Sequence, residues 1–382
     1  MPSHQWDDSE TKAVLDVVKS FGEKYLRPKT LHPEMVITPE DLKKIIHQAY
    51  EIGILGDPDD QESPGLWRYT SEPGGVALSV RSLEVLGCFN PGIAFTLHQL
   101  ALGDYLCHQA GITCSERVIP LLHGSHGLGR TALARYLAEV PLTAEEELLL
   151  KDLSGDLSMH PVLIQSGATW NYLLCPQLNS AVESITWSLE ALDTLTVDPQ
   201  PRQHGLDETA VWKISKKTPG NSPDTESNTA STRSLLTEGL AFNALAMMSI
   251  ALGSVRYAYE KALDYSMQRI QGGHPVYQHP AVNLMLGNIQ ATIVSVEAML
   301  RFNDSQPASI KDLARIFGIR AVAHPLLCQA ATDALQVFGG NGYMQDYGME
   351  KILRDNQHLK LLFGTPGDLK LFIAAVQGVP CV

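Results

Sequence analysis

Apolar residues recur at steps of three and four through most of the chain and at steps of two in one central stretch. In "DDSETKAVLDVVKSFGEKYLRP" the residues Val14, Val17, Val18, Phe21 and Tyr25 share one helical face, with Pro28 just past the expected end. "TPEDLKKIIHQAYEIGILG" offers Thr38 as N-cap, Pro39 at the first helical position and Gly53 as a stop. "GGVALSVRSLEVLGCFNPGIAFTLHQLALGDYLCHQAG" predicts two largely buried helices, broken at Asn90-Pro91-Gly92. The period then changes. "HPVLIQSGATWNYLLCP", "SITWSLEAL", "LTVDP" and "TAVWKISKK" are short, β-rich and bounded by turn residues, which predicts a small antiparallel β domain. The polar stretch "KKTPGNSPDTESNTASTR" reads as an exposed linker. Beyond it the helical period returns. Leu245, Met248, Leu252, Val255, Tyr259 and Leu263 form a bundle seam, and Ile289, Ile293, Val296 and Leu300 repeat it. Ser309 with Asp312 reads as a capping box, and Pro325 as a kink.

The fold class is therefore mainly α with a small β domain. An N-terminal helical domain is expected over residues 1–125, a middle β domain with its polar linker over 126–233, and a C-terminal four-helix bundle over 234–382. Composition agrees with a globular chain: 44% hydrophobic and 19% charged residues. The formal net charge of -13 argues against nucleic acid as a partner, because phosphate neutralisation needs clustered Lys and Arg. The six cysteines show no CxxC pair, which fits reduced thiols in a cytoplasmic protein. The thirteen histidines show no HExxH spacing, so no metal site is expected. "MPSHQWDDSETK" has no apolar core of a signal peptide, and no uninterrupted apolar run is long enough to span a bilayer.

The most specific segment is "DALQVFGGNGYMQDYGMEKILRDNQHLKLLFGTPGDLKLFIA". Gln336, Gly339-Gly340-Asn341-Gly342-Tyr343, Asp346-Tyr347, Glu350-Lys351, Arg354-Asp355 and Gly364-Thr365 in one register resemble the acyl-CoA dehydrogenase family. The resemblance implies FAD, an oligomer and removal of an α-proton by a carboxylate while the β-hydride goes to the flavin. It also implies electron-transferring flavoprotein as a possible redox partner. In most members the base is a Glu immediately before the Gly-Thr turn; here that residue is Phe363. In others it lies on the first long C-terminal helix, where counting back from Arg269 falls on Asn243, followed by Ala244. A slip of one turn would bring in Glu238 instead. The flavin loop aligns with Ala138–Glu145, keeping only Glu139 of the family pattern, and the Trp-Ile-Thr strand aligns with Leu163-Ile164-Gln165.

The family's grip on the neighbouring subunit's cofactor tail is retained. The resemblance assigns it to Arg269, Gln336, Gly339 and Gly340, with Thr365 as a further cofactor contact, although Gly272 replaces a family Phe. Arg suits a diphosphate because its donors form a rigid fork, and paired glycines let phosphate approach the backbone. The expectation is a non-catalytic chain that shares FAD with a catalytic acyl-CoA dehydrogenase chain, as an α2β2 assembly acting on an acyl-CoA, with bulky or steroid-type thioesters as one candidate class. The alternatives are a self-sufficient flavoenzyme with a relocated base such as Glu238, or with hydroxylase-type chemistry, and a binding or regulatory protein on the same fold. Glu350 and Asp355 read as structural acids.

Overall fold

The computed structural model describes residues 8–30, 37–56, 65–122, 128–152, 162–167, 170–178, 184–217, 232–303 and 305–378. Most of the linker and Cys381 lie outside the described residues. The N-terminal helices are α1 (Asp8–Phe21), α2 (Arg27–Thr30), α3 (Pro39–Glu51), α4 (Gly75–Phe89) and α5 (Pro91–Gln109). A π turn over Gly22–Leu26 joins α1 to α2, so the chain does not leave the helix at Pro28: the proline falls in the first turn after the register shift, where no intrahelical donor is needed. Thr38 and Asp41 form a reciprocal capping box at α3. Asn90 caps α5 by accepting from the Ile93 N–H, which is why the chain turns at Asn90-Pro91.

The next stretch holds β1 (Val118–Pro120), α6 (Leu128–Leu137), α7 (Ala144–Asp152), β2 (Val162–Ser166), β3 (Tyr172–Leu178), β4 (Ile185–Ala191), β5 (Leu195–Pro199) and β6 (Ala210–Lys216). Two three-stranded sheets result, ordered β1-β3-β4 and β2-β6-β5. All their pairings are antiparallel except β1 with β3. The helices α6 and α7 were not expected from the β-like character of this region. Thr143 with Glu146 is a capping-box spacing at the start of α7, and the structure uses it.

The C-terminal part has α8 (Thr232–Gln268), the hairpin β7 (Ile270–Gln271) and β8 (His274–Pro275), then α9 (Pro280–Arg301), α10 (Ile310–Val337), α11 (Met349–Leu361) and α12 (Pro366–Val376). By length and composition, Arg233–Gln268 could cross a membrane, but 94% of its apolar window is buried inside the protein. It is the central helix, packed against α4, α5, α9, α10 and α11. Ser309 and Asp312 cap α10, which runs on as one helix through Pro325. One apolar core joins all three regions.

Candidate functional site

The turn between α11 and α12 carries Phe363 at φ +55, followed by Gly364 at φ +114. A bulky side chain in this left-handed region is uncommon. The ring is half-buried and meets Phe95 of α5 at 6.1 Å between centroids. Arg320 of α10, itself buried, donates to the carbonyls of Leu359 and Leu362 and so fixes the end of α11 directly before the turn. Thr365 forms a complete capping box with Asp368, donating its hydroxyl to the Asp368 carboxylate at 2.8 Å. Its hydroxyl is thereby engaged in starting α12.

Phe363 borders a cavity of about 180 Å³ between Leu121, Leu122, Leu163, Gln165, Val211 and Leu362. Gln165 is buried, and its hydrogen bonds can be oriented. The Thr209 hydroxyl donates to the Leu206 carbonyl, so it accepts from Gln165 Nε2 at 2.7 Å. Gln165 Oε1 must then accept from His358 Nε2, 2.6 Å away. Burial, followed by the nearby His204, holds His358 below its ordinary value, which favours this neutral donor form. The side-chain amide of Gln165 is thus engaged at both ends. Gln99 donates to the Gln165 carbonyl at 2.8 Å, while its own Oε1 is buried without a partner among the described residues.

Asn243 is buried on α8 at the end of a polar chain. Trp67 Nε1 can only donate, so it fixes His98 Nδ1 as acceptor at 3.1 Å; His98 Nε2 then donates to Asn243 Oδ1, also at 3.1 Å. Trp67 stacks on Phe242 at 4.6 Å, and Tyr105 meets Phe242 edge-on. Trp67, His98 and Phe242 are fully buried. Glu238, one turn before Asn243, accepts from Tyr105 at 2.9 Å and from Ser234 at 3.3 Å, so each carboxylate oxygen has a donor. Glu350 pairs with Arg354 at 2.6 Å and Asp355 with Lys351 at 2.6 Å. Sequence reasoning passed over Trp67, His98, Gln99 and His358. A lone polar residue inside an otherwise apolar helix, as at His98 and Gln99, was the available signal.

Burial pushes His98 down to about 4 from 6.5, against the Asn243 hydrogen bond, which raises it. His324, buried on α10 beside Arg320, is held well below 6.5 by burial and by the Arg320 and Lys360 charges. Both are neutral in the fold, and the unfolded chain takes up their protons first as pH falls below 6.5. Their stability contribution is present above that value and is lost towards the folded-state value. At pH 4.5 His98 alone should remove about 2–3 kcal/mol relative to pH 7.5. Urea midpoints at the two pH values should fall less in His98→Gln than in the parent. The comparison cancels Asp355, whose raised carboxyl acts in the opposite sense. Equal falls in both proteins would refute the neutral-imidazole reading.

The opposite end of α8 is open. Arg269 is exposed, and among the described residues its side chain has no hydrogen bond or ion pair. After it, Gly272 and Gly273, at φ +66 and +90, form the two-residue turn between β7 and β8. Two successive positive φ values favour glycine and explain the loss of an aromatic residue there. Tyr265 stacks on Phe338 at 4.3 Å and accepts from Asn341 Nδ2 at 3.0 Å. These contacts hold the Gly339-Gly340 turn beside the end of α8. Gln336 lies exposed on the last turn of α10. A Cβ added at Gly340 would meet nothing within 4 Å, and its φ is not positive. Neither conformation nor internal packing requires glycine there.

Residues 233–377 match the family "Acyl-CoA dehydrogenase, C-terminal domain". Acyl-CoA dehydrogenase of Bacillus subtilis is 31% identical over 126 residues, 32% of this chain and 33% of that one. The short-chain-specific acyl-CoA dehydrogenase of Megasphaera elsdenii is 22% identical over 375 residues, covering 92% and 93%. Butyryl-CoA dehydrogenase from the same organism superposes with a TM-score of 0.75 at 16% identity, over 98% of this chain and 99% of that one. Residues 233–377 form an acyl-CoA dehydrogenase C-terminal domain, and the whole chain has the acyl-CoA dehydrogenase fold. PigA, solved with FAD and proline, shares that fold with a TM-score of 0.72 at 14% identity, over 98% and 99%.

The residues present suit the two ends of FAD unequally. On the ring side the cavity, about 180 Å³, has room for about one benzene-sized ring and not for the fused three-ring flavin. Both ends of the Gln165 amide are already held there, by Thr209 and His358. The segment aligned with the flavin loop ends in the α7 cap, where the Thr143 N–H already donates to Glu146 at 2.8 Å. Glu145, Glu146 and Glu147 follow in the first turn of α7 and would repel phosphate. On the tail side Arg269, without a side-chain partner among the described residues, and the open Gly339-Gly340 backbone suit a diphosphate.

Proposed function

We propose that this chain is a non-catalytic subunit of a hetero-oligomeric acyl-CoA dehydrogenase. It contributes bundle surface and a diphosphate clamp to FAD held by a partner chain, which supplies the carboxylate base and dehydrogenates the acyl-CoA. The observation that carries this reading is an asymmetry within one molecule. At the two positions where the resemblance expects a base stand groups that cannot take the α-proton, Phe363 and the histidine-bonded Asn243, while among the described residues Arg269 has no side-chain partner and nothing packs on Gly340. Glu238 is a poor relocated base, because it does not line the Phe363 cavity and is turned instead to Tyr105 and Ser234.

A protein partner is further supported by the outer face of the bundle. Pro280–Val296 of α9 contains no Asp, Glu, Lys or Arg, and Leu284 and Val294 are 66% and 55% exposed. Val322 and Leu326 on neighbouring α10 are exposed too. The chain purified alone should carry little flavin. Co-expression with an acyl-CoA dehydrogenase chain that retains its Glu base should yield a joint complex with bound FAD. Absorbance near 450 nm per chain, together with the subunit ratio, is the measurement. A homo-oligomer of this chain with a full complement of FAD would end the proposal.

A further inference from the structure

A second cavity, of about 170 Å³, lies between the end of α4, the middle of α8 and the start of α11. It is separate from the Phe363 cleft and shares no lining residue with it. Four rings face it: Phe89, Tyr257, Phe338 and Tyr347. Lys351 also lines it. That ammonium has Asp355 at 2.6 Å and Glu208 at 3.2 Å, and its side chain keeps 16% exposure. Both Glu208 oxygens lie at 3.2 Å, so with one donor on Asp355 and one shared between the Glu208 oxygens, the third N–H of the ammonium is left over. Ser254, on the α8 wall, already donates to the Ala251 carbonyl and accepts from Asn356.

The shape and chemistry are those of a ligand site: apolar walls with a placed polar group. The volume is close to the ~150 Å³ of an engineered cavity that takes up benzene, so one ring is the right scale. The charges decide the head group. An anion would meet Asp355 and Glu208, already two carboxylates on one ammonium. A cation gains nothing net, because Lys351 and Lys261 offset Asp355 and Asp346 in the lining. An uncharged acceptor takes the remaining N–H without disturbing either.

We propose that this cavity binds a small uncharged aromatic molecule with one hydrogen-bond acceptor, of aryl-ketone size, its ring among the four aromatic side chains and its oxygen on Lys351. The site does not depend on the subunit reading. Occupying it would tie α4 and α8 to α11, the helix that ends at the Phe363 turn.

Calorimetric titration of the full chain with acetophenone tests this. One site is expected, with toluene binding at least about tenfold more weakly because it lacks the acceptor, and benzoate no more tightly than toluene. Cys88 lines the cavity, so Cys88→Phe should abolish acetophenone binding. The smaller Cys88→Leu should weaken it if the larger change disturbs folding, as judged by circular dichroism. No acetophenone binding up to its solubility limit, unchanged binding in a folded Cys88 variant, or tightest binding of benzoate would each overturn the proposal.

Discussion

Asp355→Ala should destabilise the protein by about 3–5 kcal/mol, the usual effect of removing one partner from a buried ion pair. Asp355 is fully buried on α11 and accepts from two directions, Lys351 at 2.6 Å and the Leu206 N–H at 2.7 Å. Leu206 sits at φ +54 in the loop between β5 and β6, so this bond joins the β region to the helical bundle. Burial pushes the Asp355 carboxyl up, to about 6, against the pull of Lys351, and it remains charged at neutral pH. Removing it leaves Lys351 to Glu208 alone and the Leu206 N–H without an acceptor. At about 2 cal/mol/K of unfolding entropy per residue, the midpoint should drop by roughly 4–6 °C. Asp355→Asn, which can still accept from Leu206, should lose less. A melting temperature for Asp355→Ala within 1 °C of the parent would show that the latch contributes nothing.

That latch also marks where reading the chain stops. Lys351 with Asp355 and Glu350 with Arg354 are visible as i,i+4 pairs on a helix. Their second partners, Glu208 for Lys351 and Asp207 for Arg354, come from a β-region loop that no local pattern connects to them. Periodicity revealed the bundle helices because a repeat of 3.6 persists over α8, α9 and α10 regardless of what they pack against. The cap residues Thr38 and Ser309 were legible because capping is a local interaction; Asn90 was read only as a helix break, and the structure makes it a cap. The helices α6 and α7 were hidden by short length and by β-like neighbours on both sides.

The candidate site divides in the same way. The expectation that Phe363 and Asn243 stand where a base would be came from register alone. What they do in the fold could not: the Trp67–His98–Asn243 chain joins three segments far apart in sequence. The orientation of Gln165 likewise depends on Thr209 and His358, which lie on separate elements. Sequence shows which groups are missing from a site; three-dimensional packing shows whether the space they left is still open.

Arg269→Ala should leave this chain's own stability within about 0.5 kcal/mol of the parent, because the exposed side chain has no partner among the described residues. In the complex with a flavin-bearing dehydrogenase chain, the same change should weaken FAD about 10- to 100-fold, the loss expected for charge-assisted hydrogen bonds to phosphate. Arg269→Lys should recover only part of that loss, since a point charge replaces a two-pronged donor. Gly340→Ala separates backbone access from charge. Its φ is not positive and its surroundings are empty, so the free chain should tolerate the methyl group. Only a group arriving from outside the chain would meet it, and FAD in the complex should bind more weakly. Flavin fluorescence titration of the reconstituted apo-complex reads both effects, with thermal melting of the isolated chain as the control. FAD affinity unchanged within about twofold in both variants would remove the clamp from this surface, even if the two chains still assemble.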